Sequence, residues 1–127
     1  MILVDTHLLI WSATGSPRLS EAARTAIEFP APPPVFSAVS IWEVAMKSAL
    51  DRPDFRVDAR RLRNELLASD YRELDVTSAH AIEASALPLH HRDPFDRMLV
   101  GQALSEGLTL LTSDRRLAAY GSFVQLV

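Results

Sequence analysis

The segment "ILVDTHLLIW", residues 2–11, indicates the class of fold. Residues 2–4 are apolar and two of them are β-branched, which is typical of a short buried strand. The strand ends at Asp5, and "HLLIWSA", residues 7–13, then predicts a short helical turn. A buried strand that passes directly into a helix is the repeating unit of α/β proteins with parallel sheets.

The rest of the chain repeats this alternation. We predict further strands at 35–37, 72–75, 108–111 and 123–127, and helices from Ser20, over 40–50 and 56–69, from Thr77, over 94–106 and up to Gly121. The proline-rich stretch "FPAPPP", residues 29–34, predicts a rigid loop. The pattern therefore predicts an α/β fold with a mainly parallel sheet.

The composition of the chain limits the number of domains and the kinds of binding site that it can have. A chain of 127 residues that is 48% hydrophobic suits one domain, residues 1–127, with a substantial core. The absence of cysteine excludes disulfides and thiolate metal sites and fits the cytoplasm. No signal peptide or membrane-spanning run is evident. The net charge of −3 excludes nucleic-acid binding by bulk charge, so any nucleic acid must be held by local arginines or through a metal.

Four carboxylates fall near the carboxyl ends of predicted strands, where parallel sheets place their ligands. Asp5 follows the first strand, and Glu43 lies in the first turns after the second. Asp114 comes three residues after residue 111, and Asp96 begins the helix that leads into the strand 108–111. We expect these four side chains to converge at one edge of the sheet.

Each of these acids also has a structural interpretation. Asp5 and Asp114 each stand where the N-cap of a following helix is expected. Glu43 completes a capping box that starts at Ser40, and Lys47, four residues further on, is placed to pair with it. From the local sequence alone, both interpretations of each residue stay open.

The segment "HHRDPFDR", residues 90–97, contains two acids with different expectations. Pro94 suits the first position of a helix, which makes Asp93 the N-cap. Arg97, four residues later, is placed to pair with Asp93. The helix dipole favours a carboxylate in the first turn, but this explains the presence of Asp96 only in part. We therefore expect Asp93 to be mainly a cap and Asp96 to be a metal ligand.

Converging carboxylates repel one another unless their pKa values rise or a cation joins them. All-oxygen ligands suit Mg²⁺ or Mn²⁺. Such an ion binds phosphate oxygens and activates water for attack on phosphorus. The pattern thus points to cleavage of a phosphodiester, with Asp5 and Asp96 binding metal and with Glu43 and Asp114 binding it directly or through water.

The remaining candidates carry weaker signals. His90 and His91 are adjacent and would point apart on a regular element, so we place both, with Arg92, at the rim of the site. His7 is close enough to Asp5 to touch substrate. Trp11 and Trp42 are expected in the core, and Arg56, Arg60 and Arg63 on a solvated helix face.

Four segments together resemble PIN-domain proteins of the VapC type, the toxins of bacterial toxin–antitoxin pairs. They are "ILVDTHLLIW" (2–11), "SAVSIWEVAMK" (37–47), "LPLHHRDPFDRMLVGQA" (87–103) and "LLTSD" (110–114). The resemblance covers essentially the whole chain. It implies a three-layer α/β/α sandwich around a parallel sheet of four or five strands. It also implies a Mg²⁺- or Mn²⁺-dependent endoribonuclease that acts on tRNA or other structured RNA.

The resemblance also assigns residues and partners. The four acids of the family fall on Asp5, Glu43, Asp96 and Asp114, and Asp93 belongs to the motif of this subgroup. Small hydroxyl residues that flank the family's site correspond to Thr6, Ser40, Thr112 and Ser113. The implied partners are a VapB-like antitoxin and a second copy of the chain. One departure is "LDRPD", residues 50–54, where relatives have a glycine turn, so we expect a different loop beside the antitoxin surface.

Three other classes of function compete with this interpretation. A catalytically silent module of the same fold could hold RNA or protein and use the acids only as caps. A phosphatase would need a second aspartate at the position of His7, and a receiver domain would need a lysine after a late strand, whereas the sole lysine is Lys47. The sequence therefore favours the ribonuclease and disfavours the last two classes.

Overall fold

The computed structural model of the protein describes residues 1–28 and 32–127, so residues 29–31 of the predicted proline loop lie outside the described part. That part contains one five-stranded parallel sheet in the order β3-β2-β1-β4-β5. The strands are β1 (Ile2–Val4), β2 (Val35–Ser37), β3 (Arg72–Leu74), β4 (Thr109–Thr112) and β5 (Val124–Leu126). The predicted parallel α/β class is therefore confirmed.

Helices connect the strands along the whole described chain. They are α1 (Thr6–Thr14), α2 (Glu21–Glu28), α3 (Ala38–Ala49), α4 (Ala59–Ala68), α5 (Ser78–Ser85) and α6 (Pro94–Glu106), with 3-10 turns at Pro53–Phe55 and Arg115–Tyr120. Within residues 1–28 and 32–127, no helix has the length and apolarity needed to cross a membrane.

The sheet separates two hydrophobic cores, which makes the fold a three-layer sandwich. Successive side chains of a strand point to opposite faces of its sheet. Val4, Phe36 and Leu111 enter a core that also receives apolar residues of α1 to α4. Their neighbours Leu3, Val35 and Leu110 enter a second core with Leu99 and Val100 of α6. The α/β/α arrangement implied by the resemblance is thus confirmed.

The strand order places the ends of β1 and β4 side by side. The chain moves from β1 outward through β2 and β3 and then returns to the other side of β1 as β4. Ligands of open α/β sheets bind where the strand order reverses in this way. Here the backbone N–H of Asp5 donates to the carbonyl of Leu111 at 3.0 Å, so the segment after β1 is fixed against β4.

Several predicted boundaries are shifted, and one shift changes an interpretation. Helix α3 begins at Ala38, and Ser37 caps it by accepting from the N–H of Val39 at 3.0 Å. The predicted capping box of Ser40 and Glu43 is therefore wrong, because both residues lie inside the helix. Helix α4 begins at Ala59 rather than at residue 56, after the 3-10 turn that "DRPDF" forms.

The packing of α5 against α6 depends on Gly101. A Cβ atom at this position would lie 2.8 Å from the backbone nitrogen and 2.9 Å from the Cα of Ala84. We expect Gly101→Ala to lower the free energy of unfolding by about 1–3 kcal/mol, although alanine is favoured in helices by about 1 kcal/mol. Urea denaturation measures this change. The exposed Ser105→Ala in the same helix is the control, and a Gly101→Ala protein as stable as that control contradicts the prediction.

Candidate active site

A cavity of about 320 Å³ opens at the carboxyl ends of β1, β2 and β4. Its walls carry both signs of charge. The acids are Asp5, Glu43, Asp54, Asp93, Asp96 and Asp114, and the bases are Arg18, Lys47, Arg52 and Arg116. The structure thus brings the four sequence-predicted acids to one cavity, together with Asp93 and with Asp54, which the sequence did not single out.

Asp5 is buried at the base of this cavity. Its Oδ1 accepts from the backbone N–H groups of His7 at 2.9 Å and Leu8 at 3.4 Å, so Asp5 is the N-cap of α1. Its Oδ2 accepts from the hydroxyl of Thr112 at 2.6 Å. Burial raises the pKa of Asp5, and these hydrogen bonds oppose that rise. The capping interpretation of Asp5 is correct, yet the carboxylate also lines the cavity.

Glu43 is buried and has one paired and one unpaired oxygen. Its Oε2 accepts from Lys47 Nζ at 2.6 Å, which confirms the predicted pair. Lys47 Nζ also lies 3.7 Å from Asp93 Oδ2. It sits over the rings of Phe55 and Phe95, 4.7 Å and 5.3 Å from their centroids. Glu43 Oε1 has no hydrogen-bond partner among residues 1–28 and 32–127.

Asp93 and Asp96 occupy different positions at the start of α6, and the sequence predicts both positions. Asp93 caps α6, since its Oδ1 accepts from the N–H groups of Phe95 at 2.8 Å and Asp96 at 3.3 Å. Asp96 lies one turn inside the helix. Burial, followed by the negative charges of Asp93, Asp5, Glu43 and Asp114, raises the pKa of Asp96 to about 8. A nearby cation would therefore favour the ionised form of Asp96.

Asp114 has the opposite electrostatic character. Its Oδ1 accepts from the backbone N–H and the Nε of Arg116 at 3.0 and 3.1 Å, and its Oδ2 accepts from Arg116 Nη2 at 3.0 Å. Partial burial would raise its pKa, but the hydrogen bonds from Arg116 and His91 outweigh burial and lower the pKa to about 2. Asp114 is thus a fixed negative charge, and it is also the predicted cap of the turn that starts at Arg115.

His91 corrects the prediction that both histidines lie at the rim. It is 6% exposed, and its Nε2 lies 3.0 Å from Asp114 Oδ2 and 3.3 Å from Asp96 Oδ2. These three ligand atoms come within 4.8 Å of one another. The two histidines do point apart, but residues 86–93 form no regular element, so one of them can turn inward. His90 is exposed, and its ring packs 5.0 Å from that of Tyr120.

The four predicted hydroxyl residues have three different roles around the site. Thr6 and Ser40 are buried, and Thr6 Oγ1 donates to Ser40 Oγ at 2.8 Å, which ties α1 to α3. Thr112 holds Asp5 as described above, and its Oγ1 accepts from the N–H of Asp114 at 3.0 Å. Ser113 is exposed and lines the cavity.

Arg97 does not form the predicted ion pair with Asp93. Its guanidinium donates instead to backbone carbonyls at the end of α5 and in the following loop, and to the hydroxyl of Tyr120. The reason is geometric, since the free carbonyls beyond α5 face the planar donor fork of arginine. Arg97 therefore holds the loop that carries His91, and it does not line the cavity.

Aromatic side chains surround one side of the cavity. His7 lies between Trp11 and Phe55, with ring centroids 5.7 and 5.1 Å away. Trp11 is partly buried, in line with its expected place in the core. Trp42 is 59% exposed, so its predicted place in the core is wrong; it packs edge-on against Phe95 at 5.4 Å. The arginines at 56, 60 and 63 are exposed, as a solvated face predicts.

The residues around the cavity fit a hard divalent cation. Carboxylate oxygens dominate the donor set, as Mg²⁺ and Mn²⁺ require. Glu43 Oε1 is buried and has no partner in the described part of the chain, and a buried charged atom in that state is costly. Burial and the negative charges of neighbouring acids raise the pKa of Asp96, and a cation would offset both effects. Asp96 and Glu43 are therefore two groups that a cation in this cavity would stabilise.

Comparison with known proteins gives the family. Residues 2–122 match the family model described as PIN domain. The chain is 32% identical over 120 residues to ribonuclease VapC22 of Mycobacterium tuberculosis, covering 94% of this chain and 91% of that protein. Among solved structures it resembles a toxin–antitoxin complex from Klebsiella pneumoniae, with a TM-score of 0.70, 22% identity, and coverage of 98% and 96%.

A second solved structure gives the same fold. VapBC2 from Rickettsia felis, bound to a promoter DNA fragment, aligns with a TM-score of 0.70 and 13% identity over 100% of this chain and 98% of that one. The fold, the family model and the curated relative all agree with the four quoted motifs. The chain belongs to the PIN-domain family and, within it, to the VapC type.

Proposed function

We propose that this protein is a Mg²⁺- or Mn²⁺-dependent endoribonuclease and the toxin of a toxin–antitoxin pair. It hydrolyses phosphodiester bonds of tRNA or other structured RNA at the cavity that Asp5, Glu43, Asp96 and Asp114 line. The observation that carries the proposal is that these four acids line one cavity, and that one of them, Glu43, has a buried Oε1 without a partner among the described residues. A site of this kind in a VapC-type protein is best explained by metal-assisted RNA cleavage.

Asp5 and Asp96 are the residues that would hold the ion, with Glu43 and Asp114 acting directly or through water. When bound, a divalent ion polarises a phosphate oxygen and lowers the pKa of water. The chain's own contribution is orientation. Thr112 and the N–H groups of α1 fix the rotamer of Asp5, Lys47 fixes Glu43, and Arg116 fixes Asp114.

The basic residues at the cavity suit the RNA backbone. Three arginines line the cavity, namely Arg18, Arg52 and Arg116. Their positive side chains lie where the phosphates of RNA would approach, although the net charge of the chain is −3. Arginine offers phosphate a planar pair of donors. His7, whose ring stands between Trp11 and Phe55, is placed to contact the substrate. A chain of negative net charge thus has a local means of binding RNA.

The partners follow from the family. The Klebsiella and Rickettsia structures are toxin–antitoxin assemblies, so we propose that this chain binds a VapB-like antitoxin and forms a homodimer in the cytoplasm. Near the site, α3 exposes Trp42, Met46 and Leu50, three apolar residues spaced four apart. A stripe of this kind suits a protein partner better than water.

Asp5→Asn tests the proposed function. Asparagine caps helices as well as aspartate does, so we expect the fold to persist. Loss of the charge should lower RNA cleavage at saturating Mn²⁺ by at least about 100-fold, since a metal contributes several kcal/mol to the transition state. Cleavage of an end-labelled structured RNA measures the effect, and chelation with EDTA should abolish cleavage by the natural protein until Mn²⁺ is restored.

The control is Asp70→Asn. Asp70 is exposed, lies outside the cavity and has a positive φ of 66° that asparagine tolerates. The Asp70→Asn protein should cleave RNA like the natural protein. Full activity of Asp5→Asn, or cleavage that persists in EDTA, contradicts the proposal. Failure to bind Mn²⁺ in calorimetry, with growth arrest that survives Asp5→Asn, would instead favour a silent binding module.

A further inference from the structure

The ring of His91 is held from both sides. Its Nδ1 accepts the backbone N–H of Asp93 at 3.0 Å. Its Nε2 lies within hydrogen-bond distance of carboxylate oxygens of Asp114 and Asp96, at 3.0 and 3.3 Å. The backbone N–H of His91 donates to the Tyr120 hydroxyl at 3.1 Å. Ring and backbone are therefore both fixed.

These contacts determine which ring nitrogen carries the proton. A backbone N–H can only donate, so Nδ1 must offer its lone pair to Asp93 and is unprotonated. An imidazole whose Nδ1 is unprotonated carries its proton on Nε2. That proton is donated to Asp114 Oδ2 at 3.0 Å, while Asp96 Oδ2 lies 3.3 Å from the same nitrogen. His91 is thus a hydrogen-bond donor to Asp114 and stands between the carboxyl groups of Asp114 and Asp96.

The same tautomer prevents His91 from binding a metal. A ligating nitrogen must present a lone pair to the ion, and Nε2 has none while it is protonated. Moving the proton to Nδ1 would set an N–H against the N–H of Asp93. The short distances among His91, Asp96 and Asp114 therefore describe a hydrogen bond from His91 to Asp114 with Asp96 beside it, rather than a set of three metal ligands.

We propose that His91 is a positioning residue, an Nε2–H donor that fixes the rotamer of Asp114 and the spacing between Asp114 and Asp96, and that it does not itself ligate the ion. The inference rests on the proposed function, because it assigns a role within that site. It adds a residue outside the four acids of the family motif. Groups that orient metal ligands in this way commonly change metal affinity or activity by 10- to 100-fold when they are lost.

The tautomer can be measured without any RNA. Long-range ¹H–¹⁵N NMR of the natural protein reports the protonation of both ring nitrogens, and the spectrum of His91→Gln identifies the His91 signals. We expect a protonated Nε2 and an unprotonated Nδ1 in the metal-free protein and again at saturating Mg²⁺. A protonated Nδ1, or an Nε2 that loses its proton when Mg²⁺ binds, overturns the proposal.

A pair of substitutions tests the consequence for catalysis. His91→Gln places an amide N–H near the position of Nε2, whereas His91→Leu fills similar space without a donor. At saturating Mg²⁺ we expect kcat to fall about 30-fold in His91→Leu with KM for RNA within about twofold, and to fall no more than about threefold in His91→Gln. Equal losses in the two variants, or full kcat in His91→Leu, overturn the proposal.

His90→Leu is the matched control, because His90 is adjacent and exposed, and it should behave like the natural protein. Failure of the proposed function can be distinguished from failure of the proposed role of His91. If the natural protein cleaves no RNA, the proposed function fails, while the spectrum of the metal-free protein still decides whether His91 is the Nε2–H donor to Asp114.

Discussion

Asp96→Asn should abolish Mn²⁺ binding detectable by calorimetry and lower RNA cleavage by about 1,000-fold. Burial and four neighbouring acids raise the pKa of the Asp96 carboxyl group to about 8. A cation is what allows such a group to ionise at neutral pH. Replacing it by an amide therefore removes a ligand that ionises when the cation enters the cavity.

The same substitution should stabilise the metal-free protein. Between about pH 4 and pH 8 the folded chain holds the Asp96 proton and the unfolded chain does not, so the stability of the natural protein falls as the pH rises through this window. Asparagine has no proton to lose. At pH 8 in EDTA we expect the free energy of unfolding of Asp96→Asn, measured by urea denaturation, to exceed that of the natural protein by about 2 kcal/mol, and the difference to shrink toward pH 4.

The affinity for Mn²⁺ should also depend on the protonation of Asp96. The ion must displace this proton, so Mn²⁺ affinity of the natural protein should rise about 50-fold from pH 6 to pH 8, and proton release should accompany binding. Asp93→Asn is the matched control: asparagine retains the cap of α6. It should cost little stability and leave cleavage within about fivefold. Equal effects of the two substitutions, or a pH-independent affinity, would contradict this account.

The sequence predicted the framework of the site well where local chemistry determines structure. Asp93 and Pro94 mark the start of α6, and Asp5 caps α1, because capping and the proline ring act within a few residues. The four acids could be expected to converge because the carboxyl ends of parallel strands share one edge. These features need no knowledge of distant contacts.

The features that the sequence did not predict depend on partners far along the chain. Ser40 was assigned to a capping box, but Ser37 caps α3 and Ser40 bonds Thr6, 34 residues away. His91 turns inward because Asp114, 23 residues further along the chain, accepts a hydrogen bond from its ring. One local signal was available: the N–H of Asp93, an N-cap, is free to donate to a ring two residues earlier.

Arg97→Met should be the most destabilising of the substitutions considered, with a loss of about 3 kcal/mol in the free energy of unfolding. The guanidinium makes five hydrogen bonds that no apolar side chain can replace. Four go to the carbonyls of Ala84, Leu87, Pro88 and His91, at 3.0–3.4 Å. Carbonyls at a helix end need donors, and bonds from a charged group contribute about 1.5–3 kcal/mol each before the competing cost of burying it.

The effect should reach the site because the carbonyl of His91 is among the acceptors of Arg97. With this bond lost, the loop between α5 and α6 is held less firmly, and the hydrogen bond from His91 to Asp114 weakens. We therefore expect a roughly tenfold lower Mn²⁺ affinity in Arg97→Met, measured under conditions where the variant is folded. Arg97→Lys should recover only part of the stability, since an ammonium group cannot span the same carbonyls.

Arg92→Met provides the control, because Arg92 lies in the same loop and is exposed, so its loss should change the free energy of unfolding by less than about 0.5 kcal/mol. Urea denaturation followed by circular dichroism compares the three variants at one pH in EDTA. If Arg97→Met unfolded at the same urea concentration as Arg92→Met, the loop would have to be held by its remaining contacts. The hydroxyl of Tyr120, which donates to the carbonyl of Pro88 at 2.9 Å and accepts from the N–H of His91, would be the first of these to test.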